Sequence, residues 1–208
     1  GEVGDDTVRL ILDLAAGQGR PVRQRRYQPV HKLPLGSYPP PRFDLVSVKD
    51  YLSCSLQFAV GCPFNCEFCD IIEIYGRVPR VKSPEQVLQE LEGLLAAGHR
   101  GSVFFVDDNF IGNLPKVKAL LPHIIAWQES HGFPFRFYTE ASVNLAEHER
   151  LLKDMRRAGF YAVFLGIETP DPEALKTIQK SQNARRPLLE SVRILQAHGL
   201  EIWAGLIM

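Results

Sequence analysis

Several features that would assign this chain to a simple class are missing from its 208 residues. Apolar runs stay short of the ~20 residues that a membrane-spanning helix needs. Basic and acidic residues balance at 24 each, so no net charge favours nucleic acid or another polyanion as a partner. The hydrophobic content of 45% is ordinary for a globular domain. We therefore expect a globular chain with no transmembrane segment and no nucleic-acid partner.

Cysteine is also scarce, at four residues, yet three of the four lie in one short stretch. Cys62, Cys66 and Cys69 have the spacing C-x3-C-x2-C. Thiolates are soft ligands that suit zinc or an iron–sulfur cluster. Pro63 and Asn65 favour turns, which would let the loop curl around a metal centre. Three thiolates cannot complete a set of four ligands, so one coordination position would stay open.

The alternatives to a metal cluster with an open position are a structural zinc site and a disulfide. A structural zinc ion usually takes four ligands, and no histidine lies within twenty residues of the loop on either side. A disulfide would leave one of the three clustered cysteines unpaired. We therefore favour an iron–sulfur cluster over zinc. Clustered free thiols also indicate a reducing, cytoplasmic setting.

The first 46 residues lack the pattern of the rest of the chain. Residues 5–16 carry an apolar stripe that predicts a short helix. Residues 20–43 are rich in proline and arginine without periodicity, as in a linker. We interpret residues 1–46 as the tail of a preceding domain plus a linker, and residues 47–208 as the main domain. The chain begins without methionine and stops inside an apolar run, which predicts a truncated fragment of a longer protein.

Strands and helices alternate after residue 47. Apolar runs bounded by turn formers predict strands over residues 54–60, 102–106, 135–139, 161–166 and 201–208. Amphipathic patterns with caps predict helices over residues 83–98, 115–128, 144–159 and 187–198. Such alternation is typical of βαβ units on a parallel sheet, wound either into a barrel or into an open sheet.

Polar residues follow the first four predicted strands. The cysteine loop follows the first, Asp107-Asp108-Asn109 the second, Glu140 the third and Glu168 the fourth. Since the carboxyl ends of parallel strands meet at one edge, we expect these residues to surround one active site.

The cysteine loop resembles that of the radical S-adenosylmethionine (SAM) enzymes, whose C-x3-C-x2-C motif has an aromatic residue before the last cysteine. Phe68 fills that place. The resemblance implies an α/β fold, a partial (β/α)6 TIM-type barrel that is incomplete here at its C-terminal end. It also implies a [4Fe-4S] cluster on Cys62, Cys66 and Cys69, with SAM on the fourth iron. Reduction of the cluster would cleave SAM to a 5′-deoxyadenosyl radical.

By position in that fold, we expect SAM contacts at Phe68, Asp108, Glu140 and Glu168. A positively charged sulfonium and ammonium would favour carboxylates nearby. The family's glycine-rich segment after the second strand is absent, so Asp107-Asp108-Asn109 would replace it.

Three stretches resemble the cobalamin-associated group of that family, which includes hopanoid and bacteriochlorophyll methylases. They are residues 61–80, 102–112 and 138–142. In that group a cobalamin-binding domain precedes the barrel. The chain has no Asp-x-His-x-x-Gly cobalamin signature, so cobalamin is implied by the resemblance alone.

The resemblance implies methylation of an unactivated carbon in a small hydrophobic molecule, with an electron donor such as flavodoxin or ferredoxin. Cyclisation or oxidation by the same radical is the first alternative. A non-catalytic iron–sulfur or zinc module is the second.

Overall fold

The computed structural model describes residues 5–17 and 32–207. Its central strands are β1 (Ser53–Leu56), β4 (Gly101–Phe105), β5 (Phe135–Ala141), β6 (Phe160–Glu168) and β7 (Glu201–Leu206). They form a parallel sheet in the order β1-β4-β5-β6-β7. Two short strands, β2 (Ala59–Val60) and β3 (Arg80–Val81), form a separate antiparallel pair. The sheet therefore brings all five of its strand ends to one edge.

Helices connect the strands, and local sequence explains where several of them begin and end. They are α1 (Asp5–Ala15), α2 (Ile71–Ile74), α3 (Pro84–Ala96), α4 (Leu114–Ser130), α5 (Glu149–Ala158), α6 (Pro172–Thr177) and α7 (Leu188–Ala197). Ser83 and Gln86 form a capping box at the start of α3. Gly159 ends α5 in a left-handed conformation. Within the described residues, no helix is long and apolar enough to cross a membrane.

One face of the sheet carries the hydrophobic core. Alternate residues of β5 are buried, and Phe137 on that face is fully inaccessible. Val87, Leu91 and Leu94 of α3 join the same cluster. The opposite face is partly exposed and carries stacked rings, with 4.8 Å between the ring centres of Phe104 and Tyr138. A parallel sheet with one packed face and one accessible face is the expected arrangement of a partial barrel.

The predicted α/β fold with a parallel sheet is confirmed, with differences in detail. The strand predicted over residues 54–60 is two strands, because the backbone N–H of Phe58 donates to the Asp107 side chain between β1 and β2. The helix predicted from residue 144 starts as the 3-10 helix Val143–Glu147 and continues as α5. The predicted apolar stripe of α1 is exposed. Residues 20–31 of the predicted linker lie outside the described residues, and the division at residue 46 stays a prediction.

The side-chain amide of Gln128 connects three elements by hydrogen bonds at the start of β5. Its Nε2 donates to the carbonyl oxygens of Phe135 (2.8 Å) and Ala158 (3.0 Å). Its Oε1 accepts from the backbone N–H of Phe135 at 3.4 Å. A Cβ at Gly159 would lie 2.6 Å from Gln128 Nε2. Glycine at 159 therefore provides the space for the amide that joins α4, β5 and α5.

We predict that Gln128→Leu lowers the free energy of unfolding by about 3 kcal/mol, because buried backbone groups lose their partners. Gln196→Leu is the matched control, since Gln196 is exposed, and it should change stability by less than about 0.5 kcal/mol. Denaturant unfolding of both variants measures the difference. Equal stabilities would show that the Gln128 contacts contribute little.

Candidate active site at the carboxyl ends of the strands

The cysteine loop starts in a backbone conformation that glycine permits. Gly61 has φ +95°, and a Cβ there would lie 2.7 Å from the carbonyl oxygen of Gly76. That carbonyl accepts the N–H of Cys62 at 3.3 Å. The N–H of Gly61 donates to Asp108 Oδ2 at 2.8 Å. The entry to the loop is therefore fixed between the segment around residue 76 and the end of β4.

Asp107, the residue beside Asp108, is fully buried under this entry. Its Oδ1 accepts the N–H of Phe58 at 2.8 Å, while within the described residues its Oδ2 has no hydrogen-bond partner. Burial raises the pKa of Asp107 to about 7, although N–H donors of Ala59 and Phe58 oppose the shift. The two consecutive carboxyls thus hold the chain on either side of β2.

Two of the cysteine sulfurs accept hydrogen bonds from side-chain amides. Asn109 Nδ2 donates to Cys62 Sγ at 3.8 Å, and Gln182 Nε2 donates to Cys66 Sγ at 3.5 Å. Burial raises the pKa of the Cys62 thiol, and the charges of Cys66 and Cys69 add to this effect. The three free thiols are therefore close enough to interact electrostatically.

The three thiols also form a donor set that an iron–sulfur cluster could use. Among the described residues, no three His, Cys, Asp or Glu side chains converge on one point as ligands of one metal ion. A four-iron cluster does not need such convergence, since each cysteine binds a different iron. Three thiols on one loop, two of them with N–H donors, match that donor set.

One cleft contains all seven residues predicted as cluster ligands or SAM contacts, whereas Asp107 is buried outside it. It measures about 170 Å³ and is lined by Cys62, Cys66, Phe68, Cys69, Asp108, Glu140 and Glu168. The cleft lies where the strands end, as parallel α/β folds require. A larger depression of about 490 Å³ beside α4 and α5 is lined mostly by charged residues and by none of the cysteines. We therefore place the candidate site at the strand ends, where the individual roles of the seven residues stay predictions.

Two carboxyl groups without a described cationic partner line the cleft. Burial raises the pKa of both Asp108 and Glu140, and the charge of Asp108 raises that of Glu140 further. Asp108 accepts one hydrogen bond, from Gly61. In the described part of the chain, no hydrogen bond or ion pair reaches the carboxylate of Glu140. A cation placed between the two would relieve both their repulsion and their desolvation.

The cleft also contains a buried ion pair. Lys180 Nζ bonds the carboxylate of Glu168, and the two side chains are 10% and 12% exposed. Glu168 has φ +61°, which is unusual for a residue other than glycine. Lys180 Nζ also lies 5.5 Å from the centre of the Phe68 ring. A Cβ at Gly166 would collide with both charged groups, so a larger residue there would displace the pair.

Sequence analysis did not find Lys180, Gln182 or Ser142 as residues of this cleft. Lys180 and Gln182 lie in the turns after α6, more than ten residues beyond the end of β6. Asn183 holds these turns against the strand end, since its Nδ2 donates to the carbonyl oxygens of Gly166 and Ile167 at 2.9 and 3.0 Å. The polar run from residue 180 to 183 was the available signal.

Comparison with known proteins matches residues 56–208 to the family described as the radical SAM superfamily. The hopanoid C-2 methylase of Rhodopseudomonas palustris (strain TIE-1) is 45% identical over 208 residues, which is 100% of this chain and 40% of that protein. The protein named "Uncharacterized methyltransferase sll1242", from Synechocystis sp., is 54% identical over 170 residues, or 82% of this chain and 32% of that protein. The chain thus spans less than half the length of these curated relatives.

Solved structures share the fold. The cobalamin-dependent SAM radical enzyme OxsB, solved with aqua-cobalamin bound, superposes with a TM-score of 0.76 at 20% identity. The superposition covers 97% of this chain and 32% of OxsB. At this level of identity the similarity establishes the fold alone.

We predict that ionisation of Asp107 lowers the stability of the protein as pH rises from about 4 to about 7. The folded state keeps its proton up to about pH 7, while the unfolded carboxyl ionises near 3.8. The folded state therefore binds more protons between these values, and stability falls there by up to about 4 kcal/mol. Asp107→Asn cannot ionise but keeps an Oδ1 acceptor for Phe58, so its unfolding free energy should fall less steeply between about pH 4 and pH 7.

Denaturant unfolding of both proteins across that range measures the difference. Asp108, Glu90 and Glu140 also have raised pKa values, but wild type and variant share these groups. Equal slopes of stability against pH in wild type and Asp107→Asn would contradict the assignment of this pH dependence to Asp107.

Proposed function

The chain belongs to the radical SAM superfamily, and we propose that it cleaves SAM reductively at a [4Fe-4S] cluster held by Cys62, Cys66 and Cys69. We further propose that this starts the methylation of an unactivated carbon in a small hydrophobic molecule. One observation supports the first part above all others. A single cleft combines three free thiols with a half-buried carboxylate pair and a buried lysine.

The loop residues would hold the cluster through their thiolates. Gly61 and Asp108 fix the start of the loop, and the N–H of Cys69 donates to the carbonyl of Cys66 at 3.1 Å, which closes the turn between these ligands. When bound, the cluster would supply the electron for SAM cleavage, which it receives from a donor such as flavodoxin or ferredoxin. Phe68 lies half-exposed between two of the ligands, where its ring can cover bound SAM.

Charges in the cleft match the polar parts of SAM. Asp108 and Glu140 both line the cleft, and the only described hydrogen bond to their carboxylates is the one that Gly61 donates to Asp108. An ammonium or sulfonium nearby would therefore stabilise their ionised forms. Lys180 is the cation of the cleft that can bind a carboxylate, and it now satisfies Glu168. If Lys180 bound the carboxylate of SAM in place of Glu168, Glu168 could accept hydrogen bonds from the ribose hydroxyls.

The methylation proposal rests on the named relatives and on the aromatic face of the sheet. The relatives above are named as a hopanoid methylase and a methyltransferase, and the chain covers 40% and 32% of their lengths. Cobalamin appears in the name of OxsB and stays a proposal for this protein. The accessible face of the sheet carries the stacked rings of Phe104 and Tyr138, with Trp203 edge-on to Tyr138, and these rings suit an apolar substrate. The clustered free thiols support a cytoplasmic location.

Cyclisation or oxidation by the same radical remains the alternative within this enzyme class. Transfer of an isotopically labelled methyl group from SAM to the product would distinguish methylation from both. A structural iron–sulfur or zinc module would bind no SAM at all.

We predict that Glu140→Gln and Lys180→Met each weaken SAM binding by about tenfold to hundredfold, because each removes a charged contact. Equilibrium binding of SAM to the anaerobically reconstituted full chain measures the effect. Glu129→Gln and Lys118→Met are matched controls on the surface and should bind SAM like the wild type. Iron and sulfide contents equal to wild type would show that cluster loading is intact. Unchanged affinity in either site variant would remove that residue from the SAM site.

A further inference from the structure

Two buried amide side chains point their N–H groups at the cysteine sulfurs, from different parts of the chain. Asn109 follows β4 and is 3% exposed, while Gln182 follows α6 and is 4% exposed. They donate to Cys62 Sγ at 3.8 Å and to Cys66 Sγ at 3.5 Å. The two donors come from separate segments of the chain, so the contacts do not arise from local geometry within the loop.

Asn109 is held in place by a second residue. Its Nδ2 also donates to Ser142 Oγ at 3.1 Å, and its Oδ1 accepts from the backbone N–H of Ser142 at 3.3 Å. Ser142 follows β5 directly. The hydrogen bonds between Asn109 and Ser142 therefore orient the Nδ2–H of Asn109 toward Cys62.

Gln182 is placed by its neighbours, while its own amide has few partners. The adjacent Asn183 bonds the end of β6 through Gly166 and Ile167. Gln182 Oε1 is buried without a hydrogen-bond partner among the described residues. A buried amide that leaves one atom unsatisfied is costly, and a bond to a neutral thiol is weak. A bond to a metal-bound sulfur, which carries negative charge, would be stronger.

We propose that Asn109 and Gln182 are positioning residues that raise the reduction potential of the cluster on Cys62, Cys66 and Cys69. This inference rests on the proposed cluster. One-electron reduction adds one negative charge to the cluster and its sulfur ligands. An N–H that points at a ligand sulfur stabilises the more negative state more strongly. Loss of either donor therefore makes the cluster harder to reduce.

Gln182→Met is the cleanest test, because methionine has a similar length and cannot donate. It also removes the unsatisfied Oε1, so folding should not suffer. We expect the equilibrium constant for one-electron reduction to fall about threefold to tenfold, and tenfold corresponds to about 59 mV. A redox titration of the reconstituted full chain, followed by EPR, measures the midpoint potential.

Gln179→Met is the matched control. Gln179 Oε1 accepts from Asn65 Nδ2 at 2.8 Å, so it also contacts the cysteine loop, but it does not bond a sulfur. Its substitution should leave the potential unchanged. A lower potential in Gln182→Met alone would support the proposal. Equal potentials in wild type and Gln182→Met, at equal iron and sulfide content, would overturn it.

A second measurement covers the case in which Gln182→Met takes up no cluster. Wild type with ¹⁵N in its glutamine side-chain amides should give a weak ¹⁵N coupling to the reduced cluster in pulsed EPR, and absence of that coupling would overturn the proposal. Wild type that binds no [4Fe-4S] cluster would overturn the proposed function together with this inference. Wild type with a cluster but with unaltered variant potentials would overturn this inference alone.

Discussion

Two neighbouring carboxyls at the end of β4 capture backbone N–H groups of the segment that leads into the cysteine loop, and the geometry of the site depends on these bonds. Asp107 takes the N–H of Phe58, and Asp108 takes the N–H of Gly61. The first bond interrupts what would otherwise be one strand, so that β2 turns away to pair with β3. The second brings the first cysteine beside β4. Burial disfavours the ionised form of Asp107, so its carboxyl stays protonated up to about pH 7.

The cleft that results contains three carboxyl groups and one lysine. Asp108 and Glu140 have no described cation as partner, whereas Lys180 pairs with Glu168. Lys180 is held over the Phe68 ring by turns that Asn183 fixes to β6. A zwitterionic ligand with a further positive centre fits this distribution, which is the physical basis for proposing SAM.

Much of the fold could be predicted, because its signals are local. Strand–helix alternation, the Ser83 capping box and Gly159 mark elements that short-range physics determines. The seven predicted site residues meet in one cleft because each was identified from its position after a strand or in the cysteine motif. Lys180 and Gln182 were missed, because their contacts to Glu168 and Cys66 span 12 and 116 residues and leave no periodic pattern. The split of the first strand was missed for the same reason, since Asp107 is 49 residues from Phe58.

We propose that three cysteines hold a cluster with one iron open to SAM. EPR of the anaerobically reconstituted, reduced full chain with and without SAM is the most direct test. We expect a [4Fe-4S] signal whose g values shift when SAM is added. A cluster signal that is indifferent to SAM, or a protein that takes up zinc in place of iron, would contradict it.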